Sequence, residues 1–366
     1  MRGQVDRLML ISLLMLLILG LMALLSASAP RAASQFGDPF YYFKRQLLYL
    51  GLGLPLFLLA TRVSPVFLRR VTYPLLGLSV FLLLLVLVPG FGVKVGEARR
   101  WLSTPFGTFQ PSEGAKLALV LFLAKRGVEG DKESLGGFLK PLLVVGVVLG
   151  LLLLEPDFSG AIFLGGLSLL LMLSYGWKLS HVLLSCLLSL PLLGVVALSK
   201  TYVLKRFIDY WAFLSNPSEG SYQLQQAFIA IARGGIFGVG IGLGKQKLFF
   251  LPASHTDFVL ANLGEEMGFL GLSLVMGLYG VIFLRGMRIA LKHPDAFCSN
   301  LATGLTFMLV LQALLNIGVV LGVFPTTGLP LPFMSYGGSC LIASLVAAGL
   351  LLNLSRGVGE RRWCRR

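Results

Sequence analysis

Long segments without a charged side chain constrain this chain more than any other feature of its sequence. Residues 8–30, 71–93 and 158–177 contain no charged side chain, and each is long enough to cross a hydrocarbon core of ~30 Å. Residues 296–355 contain neither a charged residue nor a histidine, which leaves room for two spans and a turn. Only 13% of the 366 residues are charged, whereas a soluble protein carries about a quarter. The sequence therefore predicts an all-α, polytopic integral membrane protein.

The apolar runs and the turn signals between them predict about ten transmembrane helices. Helices are expected because backbone exposed to lipid must satisfy its own hydrogen bonds. The predicted spans are 8–28, 46–61, 71–89, 112–125, 139–154, 158–175, 181–199, 258–284, 299–322 and 336–355. They are predicted to form one transmembrane domain over residues 1–366. One connection, at 200–257, is far longer than ordinary loops and is predicted to be a large extracytoplasmic loop.

The N-terminal segment admits two interpretations. Arg2 and Arg7, an apolar run and the small residues 27–29 together resemble a signal peptide with its cleavage site. The apolar run over residues 8–25 is longer than that of a usual signal peptide, so we interpret it as the first span. The excess of lysine and arginine in short connections then predicts that both termini are cytoplasmic.

Cationic side chains on the predicted outer face depart from that topological bias. They concentrate before the fourth span, at Lys94, Arg99 and Arg100, and in the loop at 200–257. A surface that keeps cations against the bias indicates an anionic ligand. Attraction to anionic lipid headgroups explains the same charges equally well, so both interpretations stay open.

Ionisable residues at the predicted helix ends indicate a structural or functional role, because inserting a charged side chain in mid-membrane costs ~2.5–3.5 kcal/mol of free energy. Glu113 and Lys116 are three residues apart on one helix face. One interpretation is a structural ion pair. The other is that Lys116 binds an anionic substrate and Glu113 orients it. Glu265 and Glu266 lie two turns into the eighth span, so at least one of them should point into the bundle.

Two aspartates stand directly before predicted spans. Asp157 follows Glu155-Pro156 in a tight turn, where capping of the sixth span is the favoured interpretation. Asp257 precedes the eighth span and can act as its N-cap. Because Asp257 also lies beside the cationic loop, it is equally placed to serve as a general base.

Several classes of site find no support in the sequence. It contains no glycine-rich loop with the Lys-Ser/Thr pair that binds nucleotide phosphates, and no His/Cys metal cluster. The glycines between 234 and 244 are predicted to allow close packing or bending of the backbone. No nucleic-acid partner is expected. Four scattered cysteines are predicted to be packing residues or free thiols, namely Cys186, Cys298, Cys340 and Cys364.

Five ordered blocks of this sequence resemble the SEDS family, whose members include RodA, FtsW and SpoVE. The blocks are Ala98-Arg99-Arg100-Trp101-Leu102 with residues 109–117; Glu155-Pro156-Asp157-Phe158; Leu251-Pro252 with His255-Thr256-Asp257-Phe258; Gly264-Glu265-Glu266-Met267-Gly268; and residues 325–333 with Ser335-Tyr336-Gly337-Gly338-Ser339. Within that family, residues 216–223, 246–247 and 350–356 are more similar to FtsW, the division member, than to RodA, the elongation member.

Two positions depart from the usual family pattern. Ala253 stands where the family usually has glutamate, and Ser159 interrupts the usual Asp-Phe-Gly at 157–160. Ala253 removes a second acid near Asp257, which weakens the case for a metal site there.

The resemblance implies a peptidoglycan glycosyltransferase of the bacterial cytoplasmic membrane. Such an enzyme polymerises lipid II, a disaccharide-pentapeptide on undecaprenyl diphosphate, on the extracytoplasmic face. The implied partners are a class B penicillin-binding protein, which acts as transpeptidase, and other divisome proteins. The resemblance also implies that Asp257 is catalytic and that Glu113 and Lys116 are important. A lipid II flippase, an elongation enzyme and a non-enzymatic scaffold are the alternatives.

For that reaction we assign Asp257 as the base, Lys116 with Arg99 and Arg100 as the cations that hold the leaving diphosphate, and Glu113 as the group that orients Lys116. A divalent cation, Mg²⁺ or Mn²⁺, that bridges Asp257 or the diphosphate is compatible with this assignment, and no residue pattern requires one. Further candidates for substrate binding are Lys205, Arg206, Arg233, Lys245 and Lys247. Supporting roles are assigned to Asp157, Glu265, Glu266 and Ser335.

Overall fold

The computed structural model describes residues 5–95, 98–105 and 107–358. Over these residues the helices are α1 (Arg7–Phe36), α2 (Tyr41–Ala60), α3 (Pro65–Leu87), α4 (Pro111–Glu129), α5 (Leu135–Leu154), α6 (Phe158–Ser174), α7 (Leu179–Ser199), α8 (Thr201–Ser215), α9 (Tyr222–Gly234), α10 (Val259–Lys292), α11 (Ala296–Val320) and α12 (Gly338–Ser355). Arg2, from the candidate signal peptide, and Cys364 lie outside the described residues.

Ten of these helices correspond to the ten predicted spans. Eight of the described helices are long and apolar enough to cross a membrane by length and composition, namely α1, α2, α3, α5, α7, α10, α11 and α12. Helix α6 is apolar but shorter, with 17 residues. The prediction of a multi-pass, helical membrane protein is therefore confirmed. Helices α8 and α9 lie inside the predicted loop at 200–257.

The first predicted span is longer than expected. Helix α1 continues to Phe36 and contains Pro30. Ala27 and Ser28, from the candidate cleavage site, are buried within this helix. Because α1 packs against α10 and α2, it belongs to the bundle, as the interpretation as a first span requires.

Helix α4 explains how the bundle accommodates charge. It has 19 residues and carries Glu113 and Lys116, which are both buried. It packs against α3, α6, α11 and α12, so its charged side chains face protein instead of lipid. This central position offsets the cost that these charges would have in contact with hydrocarbon.

A three-stranded antiparallel sheet lies between α3 and α4 and was not predicted. Its strands are β1 (Gly92–Val95), β2 (Ala98–Thr104) and β3 (Gly107–Phe109), in the order β1-β2-β3. In its register Val93 pairs with Trp101 and Leu102 pairs with Phe109. Such short strands give too little alternation of apolar and polar residues to be recognised from sequence.

The helices define two ends of the bundle. One end carries the sheet, residues 155–157, residues 200–257 and the connection 321–337. We call it the loop end. At the opposite end, Arg285 pairs with Asp6 at 2.7 Å and Arg69 pairs with Asp295. Asp6 also accepts a backbone hydrogen bond from Met9 and so caps α1.

Helix α10 is broken at Gly268, whose φ of 65° and ψ of −163° are not helical. The glycine-rich segment 234–240 runs beside the break and supplies the missing backbone partners. Val239 N–H and Gly240 N–H donate to the carbonyls of Glu265 and Glu266, and Phe269 N–H and Leu270 N–H donate to Gly235 and Ile236. A Cβ at Gly238 would overlap the carbonyl of Glu266, so the expected close backbone approach is confirmed.

Candidate active site

A cavity of about 70 Å³ lies at the loop end. Its walls come from β2, the first two turns of α4 and α6, the end of α5 and the connection between α11 and α12. Among the described residues, the cations that line it are Arg100 and Lys116, and the acids are Glu113 and Asp157. Gly328 belongs to the same lining. The structure thus brings four of the predicted site residues to one cavity.

Lys116 and Glu113 form an ion pair in the first two turns of α4. The Lys116 ammonium lies 2.8 Å from Glu113 Oε1 and donates to Gln312 Oε1 at 2.7 Å. Only 7% of Lys116 and 5% of Glu113 is exposed. The predicted pairing is confirmed. Both residues also line the cavity, and the role of Lys116 in binding an anionic substrate stays a prediction.

Arg100 connects the sheet to the turn before α6. Its Nε donates to the Glu155 carbonyl at 3.2 Å, and its Nη2 donates to the Pro156 carbonyl. Its Nη1 lies 3.6 Å from Asp157 Oδ1. Asp157 accepts a hydrogen bond from Gly160 N–H, so the predicted capping of α6 is confirmed. Arg99 lies on the same strand, opposite Lys94.

Glu155 is fully buried in this turn, and neither of its carboxylate oxygens has a hydrogen-bond partner. Burial, reinforced by the nearby Asp157 and opposed by Arg100, raises the pKa of Glu155 to about 8. A carboxylic acid with a raised native pKa stabilises the fold fully only below its unfolded pKa. That stability is lost as the pH rises towards about 8.

Glu155→Gln should therefore stabilise the protein in a pH-dependent way. A glutamine keeps the shape of the neutral acid and cannot ionise. We expect a gain in the free energy of unfolding of roughly 3 kcal/mol at pH 7, which shrinks towards zero near pH 5. Thermal unfolding of the detergent-solubilised variant and wild type at pH 5 and pH 8 measures this gain in stability. Glu129→Gln serves as the control, because it removes an exposed carboxylate at the C-terminal end of α4, away from Glu155. An equal gain at both pH values would contradict the assignment.

Asp257 lies at the loop end, in the turn that precedes α10. The N-cap of α10 is Phe258 and no side chain caps it, so Asp257 does not have the capping role that was its structural alternative. Asp257 is half-buried. A Cβ added to Gly328, a residue of the cavity lining, would lie 3.8 Å from Asp257 Oδ2. Burial raises the pKa of Asp257 to about 6, while the Arg206 guanidinium acts in the opposite direction.

Lys247 and the two glutamates of α10 hold the glycine-rich segment in place. The Lys247 ammonium is 2.7 Å from Glu266 Oε1, and it donates to Ser26 Oγ and Gly242 O at the same distance. Glu265 accepts hydrogen bonds from the backbone of residues 245 and 246. Both glutamates are buried, so the prediction that at least one points into the bundle is confirmed.

The remaining predicted cations have different surroundings. Arg206 donates to Thr327 O at 3.4 Å, beside the cavity wall. Arg233 lies 3.8 Å from Glu265, away from the residues that line the cavity. Lys205 and Lys245 are exposed on the loop. Substrate binding by these residues stays a prediction.

Two amide side chains of α11 were missed by the sequence analysis. Gln312 and Asn316 are buried at the loop end and bond to residues around the cavity. A search for charged residues in apolar segments does not find them, because both are uncharged and the run 296–355 contains no charged residue. Two amides four residues apart in such a run are the signal that would have found them.

No metal cluster is found in the described part of the chain: no three His, Cys, Asp or Glu side chains are grouped to hold an ion. The three cysteines in that part are free thiols, as predicted.

Comparison with known proteins places the chain in a family. A family model described as "Cell cycle protein", for FtsW, RodA and SpoVE, matches residues 6–359. The chain belongs to this family. The resemblance inferred from the five sequence blocks is thereby confirmed.

Relatives within the FtsW/RodA/SpoVE family include a probable peptidoglycan glycosyltransferase FtsW of Trichlorobacter lovleyi. It is 38% identical over 360 residues, which cover 97% of this chain and 94% of that protein. The solved Thermus thermophilus RodA is 32% identical with a TM-score of 0.72, over 97% of this chain and 98% of that one. A chain of a peptidoglycan synthase complex that coordinates polymerization and crosslinking is 33% identical with a TM-score of 0.78, over 97% and 99%. The chain is closer to FtsW than to RodA.

Proposed function

We propose that this FtsW-type chain is a peptidoglycan glycosyltransferase that polymerises lipid II for septal wall synthesis. One observation carries the proposal. At one end of the bundle, the carboxylate of Asp257 lies close to Gly328, and Gly328 lines a cavity together with Arg100 and Lys116. The names of relatives over almost the whole chain support the same activity.

The geometry supports a displacement assisted by a base. Asp257 takes the proton of the acceptor sugar's 4-hydroxyl as that oxygen attacks the anomeric carbon of the donor. The bond from the anomeric carbon to the diphosphate oxygen breaks, and undecaprenyl diphosphate leaves with the bonding electrons. Lys116 and Arg100 stabilise the diphosphate charge, and Glu113 orients Lys116. Arg99, on the same strand as Arg100, is proposed to add charge at the cavity mouth.

A divalent cation fits this arrangement only with help from the substrate. Asp257 supplies one carboxylate, and Ala253 supplies none at the position where the family usually has an acid. Mg²⁺ and Mn²⁺ prefer several oxygen ligands. The diphosphate would have to provide the others, so a metal requirement remains a prediction.

The proposed location is the bacterial cytoplasmic membrane, with the loop end on the extracytoplasmic side. The lysine and arginine bias supports this orientation, in which both termini are proposed to be cytoplasmic. The proposed partners are a class B penicillin-binding protein as transpeptidase and other divisome proteins. The similarity to a chain of a synthase complex that couples polymerization to crosslinking supports such a pairing.

Polymerisation by purified protein tests the function directly. Fluorescent lipid II, incubated with the protein with and without a candidate class B partner, should yield glycan strands resolved by gel electrophoresis. Transfer of labelled lipid II across vesicles that contain only this protein, without polymer, would instead support a flippase. Absence of polymer under every partner condition would support a scaffold.

Cellular depletion distinguishes the division role from the elongation role. Loss of an FtsW-type enzyme should block septation and give filaments. Loss of an elongation enzyme should instead give rounded cells, and that outcome would contradict the septal assignment.

A further inference from the structure

The turn that carries Asp257 is held by hydrogen bonds from elsewhere in the bundle. The side-chain amide of Asn316 donates to the Asp257 carbonyl oxygen at 2.9 Å and to the Leu329 carbonyl at 2.9 Å. The Ser335 hydroxyl donates to the carbonyl of Thr256 at 2.6 Å. The backbone of the proposed base is therefore fixed by side chains of α11 and of the connection that follows it.

Gln312 makes the corresponding link on the Lys116 side. Its Oε1 accepts a hydrogen bond from the Lys116 ammonium at 2.7 Å, and its Nε2 donates to Pro330 O at 2.8 Å. Gln312 and Asn316 are four residues apart, so both lie on one face of α11. Gln312 is 3% exposed and Asn316 is 2% exposed.

Both amides converge on one dipeptide. Asn316 binds the carbonyl of Leu329, Gln312 binds the carbonyl of Pro330, and both of these residues line the cavity. A continuous set of hydrogen bonds thus runs from the Lys116 ammonium through α11 and this dipeptide to the backbone of Asp257. The proposed reaction needs the residues at the two ends of this network, Lys116 and Asp257, in fixed relative positions.

We propose that Gln312 and Asn316 are positioning residues that fix the Lys116 ammonium and the Asp257 backbone relative to each other across the cavity. This inference rests on the proposed glycosyltransferase function and adds to it two residues without charge. Neither amide donates to α11 itself. Thr306, by contrast, is a fully buried residue of the same helix whose hydroxyl bonds to Ala302 O within α11.

The physical effect expected from their loss is a loss of alignment. A misplacement of about 1 Å between a catalytic group and its substrate can lower a rate about 10²-fold. Without Asn316, the carbonyls of Asp257 and Leu329 lose this donor, and the turn that carries Asp257 loses one of the two side chains that hold it. Without Gln312, the Lys116 ammonium keeps Glu113 but loses its second acceptor.

The test uses the nearly isosteric variants Gln312→Met and Asn316→Leu, with Thr306→Val as the control. Lipid II polymerisation by the full-length purified protein gives kcat and KM at pH values from 5 to 9. We expect kcat to fall 10- to 100-fold in the two variants while KM stays within threefold of wild type. Asn316→Leu should also lower the midpoint of the acid limb of the kcat profile, because a displaced Asp257 is better solvated. Gln312→Met should leave that midpoint unchanged.

Three results separate the possible failures. A wild-type protein that makes no polymer would refute the proposed function itself. An active wild type with both variants within threefold of its kcat would overturn the positioning role. An equal loss of kcat in Thr306→Val would do the same, because it would show a general sensitivity of α11. Should either apolar variant fail to fold, Gln312→Glu and Asn316→Ser, which keep one hydrogen-bonding group each, decide the question by the same criteria.

Discussion

Asp257→Asn is expected to reduce lipid II polymerisation by about 10²-fold or more, because the amide cannot accept the proton of the attacking hydroxyl. The substitution keeps the size of the side chain and its position beside Gly328. Binding of lipid II should change little, since the cations of the cavity remain. The measurement is the initial rate of glycan formation by purified protein, together with lipid II affinity measured separately.

The pH dependence of the same reaction gives a second readout. The pKa of Asp257 is raised to about 6 by burial, so the base is protonated and inactive below that pH. The wild-type kcat should therefore rise through a midpoint near pH 6. Asp257→Asn should show no such limb in its residual activity.

Glu219→Gln is the matched control for the aspartate substitution. Glu219 is an exposed acid of the same loop that bonds to Asn216, and its neutralisation should leave the rate and the acid limb unchanged. Near wild-type polymerisation by Asp257→Asn would show that another group removes the proton.

The architecture of the bundle was predictable because lipid leaves few choices. An apolar run of about 20 residues must form a helix to satisfy its backbone, so composition and length gave the spans. Charged residues in such runs are costly, which pointed to Glu113, Lys116, Glu265 and Glu266. All four proved to be buried and bound to partners.

The parts that escaped prediction depend on contacts distant in sequence. The sheet of β1 to β3 forms from strands too short to show a period. Lys247 was expected on an outer surface, and its burial follows from a pairing with Glu266 and Ser26 that spacing does not reveal. Gln312 and Asn316 carry no charge, so the criterion that found the ionisable residues could not find them.

Lys116→Met should lower polymerisation by about 10²-fold, a loss typical of removing one electrostatic stabiliser of the transition state. The substitution keeps the apolar stem and removes only the ammonium, which donates to Glu113 and Gln312. Removing one partner of a buried pair also destabilises by about 3–5 kcal/mol, because the other charge stays buried without compensation. A single variant therefore confounds catalysis with folding.

The double variant Glu113→Gln/Lys116→Met separates the two effects. It removes both charges, so thermal stability in detergent should recover most of the loss seen with Lys116→Met alone. Activity should not recover, because the cavity still lacks the ammonium that is proposed to hold the diphosphate. Lys125→Met tests a lysine at the opposite end of α4, which donates to Arg69 O, and should retain polymerisation. If the double variant regained both stability and rate, Lys116 would act only as a structural partner of Glu113, and the diphosphate would have to be held by Arg100.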